Sequence, residues 1–170
     1  ITALAYSIGR GTQNAAIGVH EFPSQVVEEY NGSTWAAGAS TTIHHGTGTA
    51  SGAGAGTQTA TLIYGGSPAS ATNRCTEEYD GTSWSAVGAL VLGGNQGFGF
   101  GTTNAAMQGG SHPSQFDDAC TQAYDGSSWS VSAPLGTGRS SAKASGVSQN
   151  AGIASGGSLG GVTEHWNGTA

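Results

Sequence analysis

One short string recurs along the chain and constrains its fold more than any other feature. An aromatic residue, Asn or Asp, Gly and two hydroxyl residues precede a Trp in YNGSTW from Tyr30, YDGTSW from Tyr79 and YDGSSW from Tyr124. A shortened copy, WNGTA, begins at Trp166. The first residues of these copies are 49, 45 and 42 positions apart. A fixed period of about 20–50 residues is typical of repeat architectures, in which each repeat is one supersecondary unit.

A second, independent string keeps the same period. It reads TQNAAIG from Thr12, TQTATLIYGG from Thr57, TTNAAMQGG from Thr102 and SQNAGIASGG from Ser148, at intervals of 45, 45 and 46 residues. The 170 residues therefore form a single array of four diverged units of about 45 residues each. The approximate bounds of the units are 1–35, 36–84, 85–129 and 130–170.

Each unit has the pattern of β-strands. Asn-Gly or Asp-Gly between β-forming residues favours a two-residue type I′ hairpin turn, which would pair Tyr30 with Ser33 and Glu28 with Trp35. Because side chains alternate along a strand, Tyr30 and Trp35 share one face, which we expect to be buried. Before this hairpin, the apolar run 60–64 predicts an inner strand that ends at a diglycine. The predicted structural core is Tyr30, Trp35, Tyr79, Trp84, Tyr124, Trp129 and Trp166, with Cys75 and Cys120.

The composition excludes two classes of partner. Charged residues make up 8% of the chain, the formal net charge is −6, and only four residues are basic. A nucleic acid needs clustered cations, so we expect no nucleic-acid partner. No apolar stretch approaches the roughly 20 residues that a membrane-spanning helix needs, so we expect no membrane insertion.

These residues resemble a known repeat. An apolar strand that ends in a diglycine, a strand that ends in Tyr, and a Trp on the next strand are similar to the Kelch motif, which implies one four-stranded blade of a β-propeller per repeat. The closer resemblance is to Kelch-like repeats of bacteriophage virion and tail proteins, GTQTA…GG…TEEYDGTSW, matched here by residues 56–60, 65–66 and 76–84. The first unit departs from the pattern at its diglycine, the third has Thr103 in place of Gln, and the fourth lacks its Trp. The expected fold is all-β, a Kelch-like propeller of about four blades. A β-solenoid or a segment of a larger propeller is the alternative.

The residues that could carry chemistry have structural explanations in the repeat. Cys75 and Cys120 share a column that holds Val26 and Val162 in the other units, so we interpret them as packing residues. The histidines lack the spacing of a zinc site. The recurring glutamates belong to the repeat, whereas a catalytic pair is usually unique. We therefore expect no catalytic residues, no metal and no cofactor, and no copper site like that of the Kelch-fold copper oxidase, galactose oxidase, since Tyr30, Tyr79 and Tyr124 are core positions.

The candidate binding surfaces are the loops that differ between units, because repeats conserve their core and vary at the surface they use. Ordinary solvated loops without a ligand are the alternative. These loops are 20–25, 41–48, 67–73, 94–100 and 111–118. Aromatic and imidazole side chains anchor both sugars and proteins. The candidate ligand contacts are Phe22, His44, His45, Phe98, Phe100 and His112.

The expected function is that of a non-catalytic structural or adhesive module of a phage virion or extracellular appendage. Its partners would be other virion or appendage subunits, further copies of itself, or a cell-surface glycan or protein receptor. A secreted carbohydrate-binding, lectin-like propeller is the alternative, and a propeller-fold enzyme is the third hypothesis. The chain starts at Ile1 and both ends fall inside a repeat, so we expect a processed product or a segment of a longer protein.

Overall fold

The structure, a computed structural model, describes residues 5–22, 25–45, 52–66, 74–110, 119–158 and 160–169. Its strands form four antiparallel sheets, which we call blades 1 to 4. Blade 1 consists of β1 (Ala5–Thr12), β2 (Ala15–Phe22), β3 (Val26–Tyr30) and β4 (Trp35–Ala37). Blade 2 consists of β5 (Ala53–Thr57), β6 (Ala60–Tyr64), β7 (Thr76–Tyr79) and β8 (Trp84–Ala86). Blade 3 consists of β9 (Phe98–Thr102), β10 (Ala105–Gly109), β11 (Thr121–Tyr124) and β12 (Trp129–Ser132). Blade 4 consists of β13 (Lys143–Ser148), β14 (Ala151–Ser155) and β15 (Thr163–Trp166).

The blades are arranged in a ring. Within each blade the strands follow one another in chain order as an up-and-down meander. The first strand of each blade, β1, β5, β9 or β13, lies innermost and lines a common axial channel. This is the arrangement of a four-bladed β-propeller, and the expectation of an all-β propeller is confirmed. Over the described ranges, no helix is long and apolar enough to cross a membrane.

The hairpin between the two inner strands of a blade depends on glycine. In blade 2, Thr57 pairs with Ala60 across the two-residue turn Gln58-Thr59. Gly56 just before it has a φ of +103°, and a Cβ there would lie 2.1 Å from the carbonyl oxygen of Ala60. Gly101 of blade 3 meets the same constraint against Ala105. Only glycine adopts this conformation without steric cost, which explains why the string TQTA follows a glycine.

The outer hairpin has a different register from the one that the sequence predicts. Tyr30 pairs with Trp35 and Glu28 with Ala37, so the loop has four residues rather than two. The Asn31 side chain forms an Asx turn, because its Oδ1 accepts the backbone N–H groups of Ser33 (3.0 Å) and Thr34 (2.9 Å). These side-chain bonds stabilise the longer loop in place of a type I′ turn. The register moves by two residues, so Tyr30 and Trp35 still share a face.

The core lies between the blades. We call the side of a blade that faces the preceding blade its front face, and the other its back face. Ile63, Tyr79 and Trp84 on the front of blade 2 pack against the back of blade 1. Leu62 and Tyr64 on the back of blade 2 pack against the front of blade 3. A third cluster joins blades 3 and 4 in the same way. Each junction thus buries one back face against one front face.

The ring has a seam between blade 4 and blade 1. Strand β1 packs beside β5, β5 beside β9 and β9 beside β13, whereas β13 and β1 make no comparable contact. The front face of blade 1 and the back face of blade 4 border this seam. As a result Trp35 is 42% exposed, and the predicted burial is wrong for this one Trp because no blade covers it. Tyr30 beside it is half-buried.

Candidate functional site: blade junctions, axial channel and seam

A column of acidic and amide side chains joins each blade to the linker that precedes it. Glu77, Gln122 and Glu164 occupy equivalent positions on β7, β11 and β15. Gln122 accepts the N–H of Leu92 (2.9 Å) and donates its own amide N–H to the Leu92 carbonyl (2.8 Å). Glu164 accepts the N–H of Thr137 (2.9 Å). Peptide groups buried without a partner are costly, so this column fixes the conformation of each linker on the following blade.

Glu77 is the most fully engaged member of the column. Its side chain is buried and accepts the backbone N–H groups of Thr42 (2.8 Å) and Ile43 (3.0 Å) and the hydroxyl of Thr42. The imidazole of His45 places Nε2 3.0 Å from Glu77 Oε2 and Nδ1 3.0 Å from the Gly65 carbonyl oxygen. Both imidazole nitrogens face oxygen acceptors, and only the imidazolium donates from both. His45 therefore bridges the Glu77 carboxyl group and the Gly65 carbonyl oxygen inside the junction, at ion-pair distance from Glu77.

The pKa of the Glu77 carboxyl reflects opposing effects. Burial on its own raises this pKa, because it disfavours the charged form. The hydrogen bonds from His45, from the Thr42 hydroxyl and from the two backbone N–H groups favour the carboxylate and outweigh burial, so the pKa is lowered below its usual value. The ionised form of Glu77 is thus the one that the junction selects.

Arginine takes the role of His45 at the junction of blades 3 and 4. Arg139 is 1% exposed and pairs with the carboxylate of Glu164. Its guanidinium also donates to the carbonyl oxygens of Val162 (2.9 Å) and Ala154 (3.4 Å). A buried guanidinium is tolerated when its donors are satisfied, as they are here. The same column position therefore accommodates different basic partners at different junctions.

Tyr–Trp pairs belong to the apolar part of the junctions in front of blades 2 and 3. Tyr79 stacks on Trp84 at a centroid distance of 5.0 Å, and Trp84 Nε1 donates to the carbonyl oxygen of Ala39 (2.8 Å). The Tyr79 hydroxyl donates to Glu29 Oε1 of blade 1 (2.5 Å). Burial, followed by this hydrogen bond to a carboxylate, raises the pKa of Tyr79 to about 12. Both side chains of this Tyr–Trp pair therefore have polar partners on the blade-1 side of the junction.

The axial channel contains a cavity of about 520 Å³ that the inner strands of all four blades line. Arg10 of β1 crosses it and donates to the carbonyl oxygens of Gly54 and, at 3.2 Å, of Gly99. Burial lowers the pKa of Arg10. Gly99 is required here, since a Cβ would lie 1.9 Å from the Tyr64 hydroxyl. Lys143 lines the other part of the channel, so two of the four basic residues of the chain face the axis.

A cleft of about 410 Å³ lies on the front face of blade 1, at the seam. Trp35 forms one wall, with its ring centroid 5.1 Å from that of Tyr30. His20 lies on the cleft, with Nδ1 2.7 Å from the Ser7 hydroxyl and Nε2 3.4 Å from Glu28 Oε2. The cleft thus combines an exposed indole with a polar rim.

The candidate loop residues are found in different environments. Phe98 and Phe100 lie on β9 and are buried between blades 3 and 4, so the prediction of loop positions is wrong for both. The two phenylalanines alternate with Gly97, Gly99 and Gly101. This alternation is typical of a strand with one face in the core. His45 is also buried, contrary to the prediction of a surface position, because the contact with Glu77 holds it in the junction.

The other candidates are less defined. His44 is half-buried in the linker between blades 1 and 2, and its Nδ1 is buried without a hydrogen-bond partner. Phe22 is the last residue of β2, but its side chain lies outside the described part, as does all of His112. Cys75 and Cys120 are half-buried, and no disulfide joins them. The structure therefore does not bring the four described candidates together at one site, and the role of all six as ligand contacts stays a prediction.

Sequence reasoning missed the residues that organise the junctions and the channel. His45, Arg139 and Arg10 each occur in one unit only, so no period marks them. Gln122 was detectable, because it aligns with Glu77 and Glu164 in the repeat. Within the described ranges, no group of three or more His, Cys, Asp or Glu side chains could hold a metal ion.

The comparisons with known proteins support the fold and no finer identity. No family model matches the chain, and no curated protein matches it. The solved structure of YjhT is similar, with a TM-score of 0.65 and 16% sequence identity. The likeness covers 84% of this chain and 48% of that one, so the chain spans about half the length of YjhT. At this identity the similarity shows the propeller fold alone.

Proposed function

We propose that the chain is a non-catalytic structural and adhesive module of a phage virion or another extracellular appendage. The observation that carries this proposal is the use of the recurring polar residues. Glu77, Gln122 and Glu164, which repeat with the period of the array, each bind the linker that connects their blade to the one before. The polar groups that the repeat retains therefore stabilise a rigid array, as a structural module requires.

The virion or appendage setting is supported by the resemblance of residues 56–60, 65–66 and 76–84 to repeats of phage tail proteins. Adhesion is assigned to the loops at the ends of the strands, since a propeller displays its variable loops on a fixed scaffold. The ligand class is a cell-surface glycan or protein. A secreted carbohydrate-binding propeller is the second candidate. It has the same fold, but it would be a secreted protein rather than part of a virion or appendage.

The experiment that tests adhesion is cosedimentation of the fluorescently labelled chain with a panel of bacterial cells, together with a glycan array. We expect saturable binding to a subset of surfaces that weakens at least tenfold in a Phe22→Ala, His44→Ala double variant. The matched control is Val131→Ala, because Val131 is an exposed apolar side chain on β12, away from these loops. Binding that survives the loop substitutions, or no binding to any surface, would contradict the adhesive part of the proposal.

A further inference from the structure

We infer that the front face of blade 1 is a docking face for one further blade of this repeat, supplied by a repeat that precedes blade 1 in the polypeptide. The inference rests on the structural part of the proposed function and is independent of the adhesive part. It follows from comparing the two faces that border the seam with the faces that are buried at the three junctions.

The apolar part of the front face is present on blade 1 but uncovered. Trp84 and Trp129 are 6% and 5% exposed, because each packs against the blade before it, whereas Trp35 at the equivalent position is 42% exposed. The Tyr–Trp contact is retained, since the ring centroids of Tyr30 and Trp35 are as close as those of the buried pairs. Blade 1 thus presents the same aromatic surface that the other blades bury.

The polar part of the front face is also present and lacks its partner blade. In blades 2 and 4, Gln58 and Gln149 of the inner hairpin donate to the carbonyl oxygens of Tyr30 and Tyr124 on the preceding blade, each at 2.9 Å. Gln13 occupies this hairpin position in blade 1 and is exposed. Glu28, which aligns with Glu77, lies 3.4 Å from His20 rather than on a linker.

The back face of blade 4 has a different character. In the pairing of the two inner strands, Lys143 and Ser155 take the positions that Ile8 and Val19 occupy in blade 1 and Ala53 and Tyr64 in blade 2. The blade-1 and blade-2 residues are buried, whereas Lys143 and Ser155 are exposed. Ser145, which aligns with the buried Ala55, is exposed as well. Ile153, which pairs with Ser145 and aligns with the buried Ile17 and Leu62, is the apolar side chain that this face retains, and it is 42% exposed. The back face of blade 4 is thus more polar than the other back faces, as the outer face of a terminal repeat often is.

This asymmetry identifies the occupant. A second copy of the chain would offer blade 1 the back face of its blade 4, where Lys143 and Ser155 stand in place of the apolar Ile8 and Val19 that the junction of blades 1 and 2 buries. A blade with an apolar back face, of the type of blades 1 to 3, completes the same junction that occurs three times in the ring. The front face of blade 1 is therefore the face that receives the further blade.

The test adds a blade to either end. A copy of residues 98–142, which is blade 3 with its following linker, is joined ahead of Ala5 in one fusion and after Thr169 in another. Hydrogen exchange followed by mass spectrometry reports on each fusion. We expect exchange in residues 26–37 to slow at least about tenfold in the first fusion, and exchange in β13 and β14 to stay unchanged in the second. Trp35→Ala in the first fusion should abolish the gain.

Two measurements keep the result interpretable. Unchanged protection of β6 and β10 shows that the original blades remain folded, and a second fusion with residues 53–97 repeats the test with a different donor blade. Residues 26–37 that stay as fast to exchange in both folded fusions would overturn the inference. So would concentration-dependent dimerisation of the 170-residue chain that by itself protects Trp35. Neither readout involves a receptor, so a failed adhesion experiment leaves this result unaffected.

Discussion

At the scale of single residues, the repeat gives the same side chain different surroundings in different blades. The Trp of the outer hairpin is buried in blades 2 and 3 and exposed in blade 1, although its strand and its Tyr neighbour are alike in all three. Burial here depends on the neighbouring blade rather than on the local sequence. The energetic role of each Trp should therefore follow its position in the ring.

Trp84→Ala should lower the free energy of unfolding by about 3–5 kcal/mol, because it leaves a cavity at the junction of blades 1 and 2 and removes the bond to Ala39. Trp35→Ala, the matched variant at the seam, should cost about 1 kcal/mol or less. Urea unfolding followed by circular dichroism measures both. Equal costs would show that the front face of blade 1 is covered in solution.

The Glu77 carboxylate should make stability depend on pH. Its pKa is lowered in the folded chain, so its contribution is present above the usual value near 4.5 and is lost as pH falls below it. Glu77→Gln should lower the free energy of unfolding at pH 7 by roughly 2–4 kcal/mol, since it removes the buried carboxylate that is hydrogen-bonded to His45, Thr42 and Ile43. The variant should also show a shallower loss of stability between about pH 5 and pH 3.

Glu78→Gln is the control for this measurement, because Glu78 lies on the opposite face of the same strand. Urea unfolding at a series of pH values compares the three proteins. If Glu77→Gln retains the acid sensitivity of the parent chain, another carboxyl group is responsible.

At the scale of elements, the outer hairpin shows how far the sequence could be interpreted. The position of the turn and the face shared by Tyr and Trp were predictable from alternation, but the register was not. The Asx turn depends on a side-chain oxygen that binds two backbone N–H groups, and this competes with the type I′ turn that the same Asn-Gly or Asp-Gly pair favours. The Asn-Gly or Asp-Gly pair alone therefore does not distinguish a type I′ turn from an Asx turn when hydroxyl residues follow it.

The Asx turn should be visible in the titration of its aspartates. A hydrogen bond from the Thr82 hydroxyl, followed by bonds from the backbone N–H groups of Ser83 and Thr82, lowers the pKa of Asp80 to about 2. Thr82→Ala should raise this pKa towards the usual aspartate value of 3.8 by removing the first of these bonds. Carbon-detected NMR titration measures it. The unaltered turn at Asp125, also with a pKa of about 2, is the internal control.

At the scale of the whole molecule, period and strand pattern were enough to predict an array of four β-rich units, and the resemblance to Kelch repeats implied that these units are propeller blades. The sequence pattern did not predict the seam. The strings of units 1 and 2 are similar, and they do not show which face of a blade is covered by a neighbouring blade. The polar substitutions at Lys143, Ser145 and Ser155 are in the sequence, but their meaning depends on the strand pairing that places them on a back face. Unique partners such as His45 and Arg139 likewise depend on the path of each linker.

The seam should divide the ring into regions of different stability. Blades 2 and 3 are covered on both faces, whereas blades 1 and 4 each expose one. Native-state hydrogen exchange should therefore be slowest in β6 and β10 and faster in β3 and β14. Uniform protection of all four blades would contradict this and would indicate a ring closed at the seam.

The column of Glu77, Gln122 and Glu164 has a consequence for the order in which the blades fold during translation. The linker at Thr42 and Ile43 is completed only by Glu77, which is synthesised about 35 residues later. When a blade leaves the exit tunnel, the linker after it still lacks the side chain that accepts its backbone N–H groups. That side chain belongs to the next blade. The blades should therefore fold in order from the N-terminus, and each new blade should stabilise the linker that follows the blade before it.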